Sequence, residues 1–150
     1  MVAKPRPADY TRAAYKEPAA LRFQLIDRVL DRTPEKIIAV KTVTAAEEYL
    51  ADHFPDFPVL PGVMMLESLV QAGRLLVDAT GEGPPLMVQE VRNVKYTNMI
   101  RPGQSLRVEV TMRKRDSEGF EFTGVGKVDE QDSSPTAVAV QGRFRLSPLT

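Results

Sequence analysis

The chain has 150 residues, enough for one domain with a buried core, and its 20 basic and 20 acidic residues give a formal net charge of +0. This balance gives no argument for bulk binding to nucleic acid, and the absence of cysteine excludes disulfides, thiol nucleophiles and cysteine metal sites. With a single histidine, one chain cannot supply a multi-histidine metal site.

Residues 1–18 contain three prolines and mixed charge, and we interpret them as a flexible arm that precedes a single domain over residues 19–150. The first ten residues lack the apolar core of a signal peptide. The apolar run from Val63 to Ala79 is interrupted by charged and polar residues, so it does not read as a membrane span. We therefore expect a cytoplasmic protein.

Strands are predicted on both sides of the central part of the chain. Arg22–Asp31 and Lys36–Thr44 are rich in aliphatic residues and precede it. Three or four antiparallel strands with short turns follow it, over Leu86–Tyr96, Leu106–Arg113, Phe120–Asp129 and Thr136–Leu146. The apolar and polar residues of Leu106–Arg113 alternate without a fault, which is typical of a strand with one wet face.

Two short patterns in the second half predict local backbone geometry. Arg101–Gln104 has proline and glycine in the positions that a type II turn requires. Gly124 and Gly126 lie inside a predicted strand and indicate a bulge or a close backbone approach.

The central part of the chain, residues 53–73, joins a proline-rich loop to a helix. His53, the only histidine, lies in the loop, and three prolines stiffen it. Gly62 permits a sharp turn, and a helical pattern of apolar residues runs from Val63 to Val77 with Glu67 inside it. A helix this apolar must be covered on most sides, which favours a single sheet curling around it.

These residues can assemble a base, an acid and an oxyanion donor. An unperturbed imidazole has a pKa of about 6.5, so His53 can accept a proton near neutral pH. Glu67 has apolar sequence neighbours, and desolvation would keep its carboxyl partly protonated. The N–H groups of Gly62 and Val63 at the predicted helix start would face a carbonyl oxygen that gains negative charge.

Other side chains near this stretch allow two interpretations. The helical stripe of Glu67, Gln71, Arg74 and Asp78 is either a solvated face with an Arg74–Asp78 pair or, for Glu67, a catalytic position. Packing in the core and lining of a substrate pocket are both open for Phe54, Phe57, Pro61, Met64 and Gln71. Arg92, Lys95 and Arg101 are either solvated or form a patch that receives an acidic carrier.

The pattern His53-Phe-Pro-x-x-Pro-Val-x-Pro-Gly-Val-x-x-x-Glu67-x-Leu-x-Gln71 resembles the signature of the β-hydroxyacyl-acyl-carrier-protein dehydratases of the FabZ type. The similarity extends over about residues 22–146, because Leu25–Val29 is similar to the family's early strand and Val94–Tyr96 to a later one. Asp52 and Asp56 stand where the family usually has glycine, and Gln104 replaces a frequent aspartate.

The resemblance implies an α+β hot-dog fold, in which a curled antiparallel sheet wraps around one long central helix. It implies a homodimer whose sites lie between subunits, with His53 as the base, Glu67 of the other chain as the acid and the Gly62 N–H on the thioester carbonyl. Acyl carrier protein is the implied partner, trimers of dimers are common, and no cofactor or metal is implied.

Two alternatives stay open at this point. One is a different enzyme on the same fold, either a thioesterase or an acyl-CoA hydratase. The other is a non-catalytic acyl-binding subunit, which the presence of both His53 and Glu67 disfavours. The related dehydratase-isomerases carry aspartate at the helix position, so Glu67 argues against isomerase activity.

Overall fold

The structure of the chain is a computed structural model, and it describes residues 24–47, 50, 57–80, 82–129 and 137–148. Strands within these ranges are β1 (Arg28–Arg32), β2 (Lys36–Thr42), β3 (Leu86–Tyr96), β4 (Ser105–Asp116), β5 (Gly119–Asp129) and β6 (Ala137–Pro148). The helix α1 (Gly62–Val77) lies between β2 and β3 in sequence. The predicted arm at residues 1–18, His53 and Phe54 lie outside the described residues.

The strands form one antiparallel sheet in the order β1-β2-β4-β5-β6-β3. Helix α1 packs along the described strands β2 to β6, and Arg32 of β1 also donates a hydrogen bond to its Leu76 carbonyl. A flat sheet cannot present five strands to a single helix, so the sheet curls around α1, as the resemblance to the hot-dog fold implied. None of the described helices is both long and apolar enough to span a membrane.

The core lies between α1 and the concave face of the sheet. Leu69 of α1 and Leu106, Val108 and Val110 of β4 are fully buried, whereas Glu109 between them is exposed. The alternation predicted for β4 is therefore confirmed. Full burial of one such aliphatic side chain typically stabilises a fold by about 1.5–3 kcal/mol.

Glycines in β5 let the helix approach the sheet closely. A Cβ atom at Gly124 would lie 3.1 Å from Cδ1 of Leu69, so the backbone of β5 passes directly under α1. The pairing of β5 with β6 also shifts register between Gly126 and Lys127. Both geometries that the two glycines indicated, a close approach and a bulge, are present.

The segment before β1 differs from the prediction of a strand beginning at Arg22. Among the described residues the strand begins at Arg28, although Leu25 and Ile26 before it are buried. The backbone of Leu25 binds side chains of α1 instead of a strand: Ser68 Oγ donates to its carbonyl and its N–H donates to Gln71 Oε1, each at 2.8 Å. Tertiary hydrogen bonds to the helix have replaced a sheet ladder here.

The turn after β3 has the predicted type II geometry. Gly103 has a φ of +96°, and the Gln104 N–H donates to the Arg101 carbonyl at 3.0 Å. The Gln104 side chain closes the turn further, because its Oε1 accepts the Arg101 N–H at 2.9 Å. Glutamine thus supplies an acceptor at the position where the family frequently has aspartate.

Candidate active site

Helix α1 begins with backbone donors that no side chain caps. The residue before it is Pro61, which makes no side-chain cap, and the first turn contains no acidic residue. The N–H groups of Met64 and Met65 donate to the Pro61 carbonyl at 3.0 and 3.2 Å. No described residue accepts from Gly62 or Val63. These two groups and the positive end of the helix dipole are available to an oxygen that develops negative charge.

Tyr96, at the end of β3, packs its ring on this helix start. A Cβ atom at Gly62 would lie 3.1 Å from Cε1 of Tyr96, so glycine is needed for the ring to approach this closely. Burial raises the pKa of the Tyr96 phenol above its usual 10.0, which keeps it neutral at physiological pH. This contact joins a helix start to the end of a distant strand, so no local sequence pattern indicates it.

Glu67 lies one turn further along α1, and its side chain is 40% exposed in the single protomer. The Gln71 amide Nε2 donates to its Oε2 at 3.1 Å, and Arg74 Nη1 lies 3.5 Å from the same oxygen. Most residues near Glu67 in the sequence of the helix are apolar, but an amide and a guanidinium contact its carboxylate. Its surroundings are therefore more polar than the helical pattern indicated.

Gln71 connects this carboxylate to the buried side of the helix. Only 3% of Gln71 is exposed, and its Oε1 accepts the Leu25 N–H while its amide donates to Glu67. The interpretation of the stripe as a wholly solvated face is therefore wrong at Gln71. In the protomer Gln71 acts as a hydrogen-bonded support for Glu67.

Arg74 and Asp78 have different partners from those considered in the sequence. The ion pair of Arg74 is with Glu67, seven residues earlier, and its Nε donates to the Leu86 carbonyl at 3.1 Å. Asp78 ends the helix: its N–H donates to the Arg74 carbonyl, and its carboxylate accepts the Gly83 N–H at 3.0 Å. An i, i+7 spacing on the helical stripe was the sequence signal for the Glu67–Arg74 pair.

The remaining predicted pocket residues lie around the helix start. Pro61 and Met64 are half-buried, and Met64 packs against the core. Phe57 is 40% exposed and lies under the Arg101 guanidinium, whose Cζ is 4.3 Å from the ring centre. Phe57 is therefore a surface residue of the protomer, and its predicted role in lining a pocket stays a prediction.

The predicted carrier-binding residues are distributed over β3 and the turn that follows it. Arg92 pairs with Glu90 at 3.2 Å, and a shift in the β3–β6 register separates Arg92 from Lys95. Arg92 lies opposite Arg143, which alternates with buried Phe144, so both arginines face away from α1. Arg101 is the one that contacts the loop residue Phe57.

Known dehydratases are similar in sequence to most of this chain. Residues 30–135 match the model of the ApeI-like family, described as ApeI dehydratase. The 3-hydroxyacyl-[acyl-carrier-protein] dehydratase FabZ of Caulobacter vibrioides is 37% identical over 114 residues, covering 73% of this chain and 72% of its own. The enzyme of the same name from Magnetococcus marinus is 34% identical over 128 residues, covering 82% and 84%.

Solved structures share the architecture at lower identity. The dehydratase heterocomplex ApeI:P from Xenorhabdus doucetiae aligns with a TM-score of 0.58 and 17% identity over 80% of this chain and 94% of its own. Zebra fish thioesterase superfamily member 2 aligns with a TM-score of 0.66 and 16% identity over 95% of both chains. These likenesses establish the hot-dog fold alone, whereas the sequence matches show that the chain belongs to the FabZ-type dehydratase family, whose members are hydro-lyases.

Proposed function

We propose that this chain removes water from a (3R)-3-hydroxyacyl group carried on acyl carrier protein and releases a trans-2-enoyl product. Its relatives are named for this reaction, and the chain is a dehydratase by family. The observation that carries the proposal is the juxtaposition on α1 of open backbone donors at Gly62 and Val63 with the carboxylate of Glu67. One group of donors suits an enolate oxygen, and the carboxyl suits a departing hydroxyl.

The proposed steps divide the proton transfers between two side chains. His53 removes a proton from C2 of the substrate, and the C2–H electron pair becomes the C2–C3 double bond. The thioester oxygen gains negative charge against the Gly62 N–H, a kind of contact that is worth roughly 10²–10³ in rate. Glu67 donates a proton to the C3 hydroxyl as the C3–O bond breaks, and water leaves. The sum is a trans-2-enoyl thioester and water.

In a homodimer, each site would combine Glu67 of one chain with His53 of the other. Strand β3 is an edge of the sheet and pairs only with β6 among the described strands. It has eleven residues, most of them exposed, and its exposed apolar side chains are Met87, Val88, Val91 and Tyr96. A long edge strand with exposed apolar side chains favours pairing with a strand of another chain. Pairing of two β3 edges would form a homodimer of the kind that the resemblance implies, in which His53 of one chain acts with Glu67 of the other.

Three further assignments depend on this reaction. Arg92, Lys95 and Arg101 are proposed to receive the acidic carrier, with Arg101 held beside the loop by Phe57. Assembly of three dimers into a hexamer stays a prediction from the resemblance. A cytoplasmic location, where acyl carrier protein would be met, also stays a prediction.

Dehydration assays with a single substitution test the proposal. We expect the purified protein to form enoyl thioester from 3-hydroxyacyl-acyl carrier protein. Glu67→Gln should lower kcat by about 10²–10⁴, the usual contribution of a general acid. Glu109→Gln is the matched control, because Glu109 is an exposed carboxylate on β4 that pairs with Lys36.

The same assay separates the proposal from its rivals. Release of free thiol without formation of an enoyl product would identify a thioesterase. Preference for the coenzyme A thioester over the carrier-bound one would identify a hydratase. Full activity of Glu67→Gln would contradict the assigned acid.

A further inference from the structure

We propose that Arg74 is a positioning residue that determines which oxygen of Glu67 carries the transferable proton. The inference rests on the function proposed above, in which Glu67 protonates the leaving hydroxyl. Arg74 lies outside the signature pattern that runs from His53 to Gln71.

Two donors converge on a single oxygen of the carboxylate. Arg74 Nη1 lies 3.5 Å and Gln71 Nε2 lies 3.1 Å from Oε2 of Glu67. No residue that the structure describes donates a hydrogen bond to Oε1 or forms an ion pair with it. A guanidinium has five donors and no acceptor, and the amide nitrogen of Gln71 also only donates. A proton on Oε2 would have no acceptor on this side, so the proton belongs on Oε1.

A second hydrogen bond fixes the position of the Arg74 guanidinium. Arg74 Nε donates to the carbonyl of Leu86, the first residue of β3, at 3.1 Å. One planar group therefore links the edge strand to the carboxylate through two different nitrogens. Lysine has one nitrogen on a flexible stem and cannot match this fork geometry. The arrangement ties the orientation of Glu67 to the strand proposed to form the dimer.

Exposure indicates that the contact serves orientation more than stability. The side chains of Arg74 and Glu67 are 28% and 40% exposed, so solvent screens their attraction. Orientation is the more sensitive quantity, because misplacement of a reacting group by about 1 Å can lower a rate about 10²-fold. Loss of Arg74 should therefore change turnover much more than the unfolding temperature.

Arg74→Met tests this expectation with Arg32→Met as the matched control. Arg32 of β1 also donates to a carbonyl of α1, through Nη2 to Leu76 at 2.9 Å, and no contact joins it to Glu67 within the described ranges. We expect Arg74→Met to lower kcat by about 10- to 100-fold with KM changed less than about twofold. Arg32→Met should leave both constants near those of the unmodified protein. Thermal unfolding of all three proteins checks that each is folded.

A double-mutant cycle with Glu67→Gln distinguishes positioning from a general structural effect. If Arg74 acts through Glu67, Arg74→Met should have no further effect in the Glu67→Gln background, measured at enzyme concentrations that resolve residual turnover. Arg74→Lys keeps the cation and the helix and should recover only part of kcat. This variant keeps the inference testable if the methionine variant fails to fold.

The outcomes separate this inference from the proposed function. An equal loss in both backgrounds, or a loss shared by Arg32→Met, would overturn the role of Arg74. An impaired Glu67→Gln beside an unimpaired Arg74→Met would overturn it as well while leaving the proposed function standing. Wild-type turnover by Glu67→Gln would overturn both.

Discussion

The two side chains that contact the Glu67 carboxylate, Gln71 and Arg74, contribute differently to the stability of the fold and to the site. The pair with Arg74 is partly exposed, so its effect on the free energy of unfolding is small. Gln71 is buried and also accepts the Leu25 N–H. Replacing Gln71 by an apolar residue would leave that buried donor unsatisfied, at a typical cost of about 1–3 kcal/mol. Gln71 therefore supports both the fold and the site, whereas Arg74 serves mainly the site.

Asp116 should make the stability of the protein depend on pH in acid. The hydrogen bond from Arg145, 2.7 Å from its Oδ1, is the largest cause that lowers the pKa of Asp116 from its usual 3.8. Because the pKa of Asp116 is lower in the folded state, its ionised carboxylate contributes fully to the free energy of unfolding above pH 3.8. This contribution is lost as the pH falls through the folded-state pKa. We expect Asp116→Asn to be less stable than the wild type near neutral pH and the difference to shrink below pH 3.8.

Urea unfolding at several pH values measures this difference. Asp31→Asn on β1 is the control, because Arg145 pairs with Asp116 and Glu121 and not with Asp31. A difference between wild type and Asp116→Asn that stayed constant down to pH 2 would contradict the assigned ion pair.

At the scale of elements, the turn between β4 and β5 depends on one glycine. A Cβ atom at Gly119 would lie 2.3 Å from the backbone carbonyl oxygen of Leu146 in β6. A backbone atom paired in a sheet cannot yield as a flexible side chain does. We expect Gly119→Ala to lower the free energy of unfolding by about 1–3 kcal/mol, the usual cost of overpacking, in urea denaturation.

The adjacent exposed residue provides the comparison. Glu118→Ala in the same turn removes only an exposed side chain and should change stability by less than about 0.5 kcal/mol. Equal stability of Gly119→Ala and Glu118→Ala would show that β5 and β6 can separate locally, against the packing described here.

Local signals predicted the elements well and the connections between them less well. The strand predicted over Leu86–Tyr96 has the same bounds as β3. Glycine and proline residues mark its start, and the turn and the alternating residues of β4 follow it. The aliphatic residues around Leu25 predict a strand, and the structure shows that Leu25 and Ile26 are buried. Burial against α1 and burial within a sheet leave the same sequence pattern, so only tertiary contacts separate the two.

The candidate site was predictable as a set of residues and not as a geometry. Proline spacing, the glycine at the helix start and an acidic residue in an apolar helix identified Gly62 and Glu67 from sequence alone. The contact of Tyr96 with Gly62 and the pairing of Arg74 with Glu67 depend on how β3 lies along α1. No periodicity within one element contains that information.

At the scale of the whole molecule, the start of α1 and the edge strand β3 carry exposed apolar side chains in the protomer. Val63 at the helix start is 67% exposed, and Met87, Val91 and Tyr96 of β3 are between 38% and 49% exposed. Apolar surface of this kind on an edge strand favours association. A two-fold pairing would cover both copies at once, because the same patch serves each subunit.

Activity of mixed dimers measures the central claim, that His53 of one subunit and Glu67 of the other act on one substrate. His53→Ala and Glu67→Gln are purified separately, and each should be inactive because every site lacks one group. After random exchange of subunits, half of the dimers are mixed and contain one intact site, so activity should return to about a quarter of the wild-type rate. Native mass spectrometry verifies the exchange, and mixed dimers without activity would contradict the shared site.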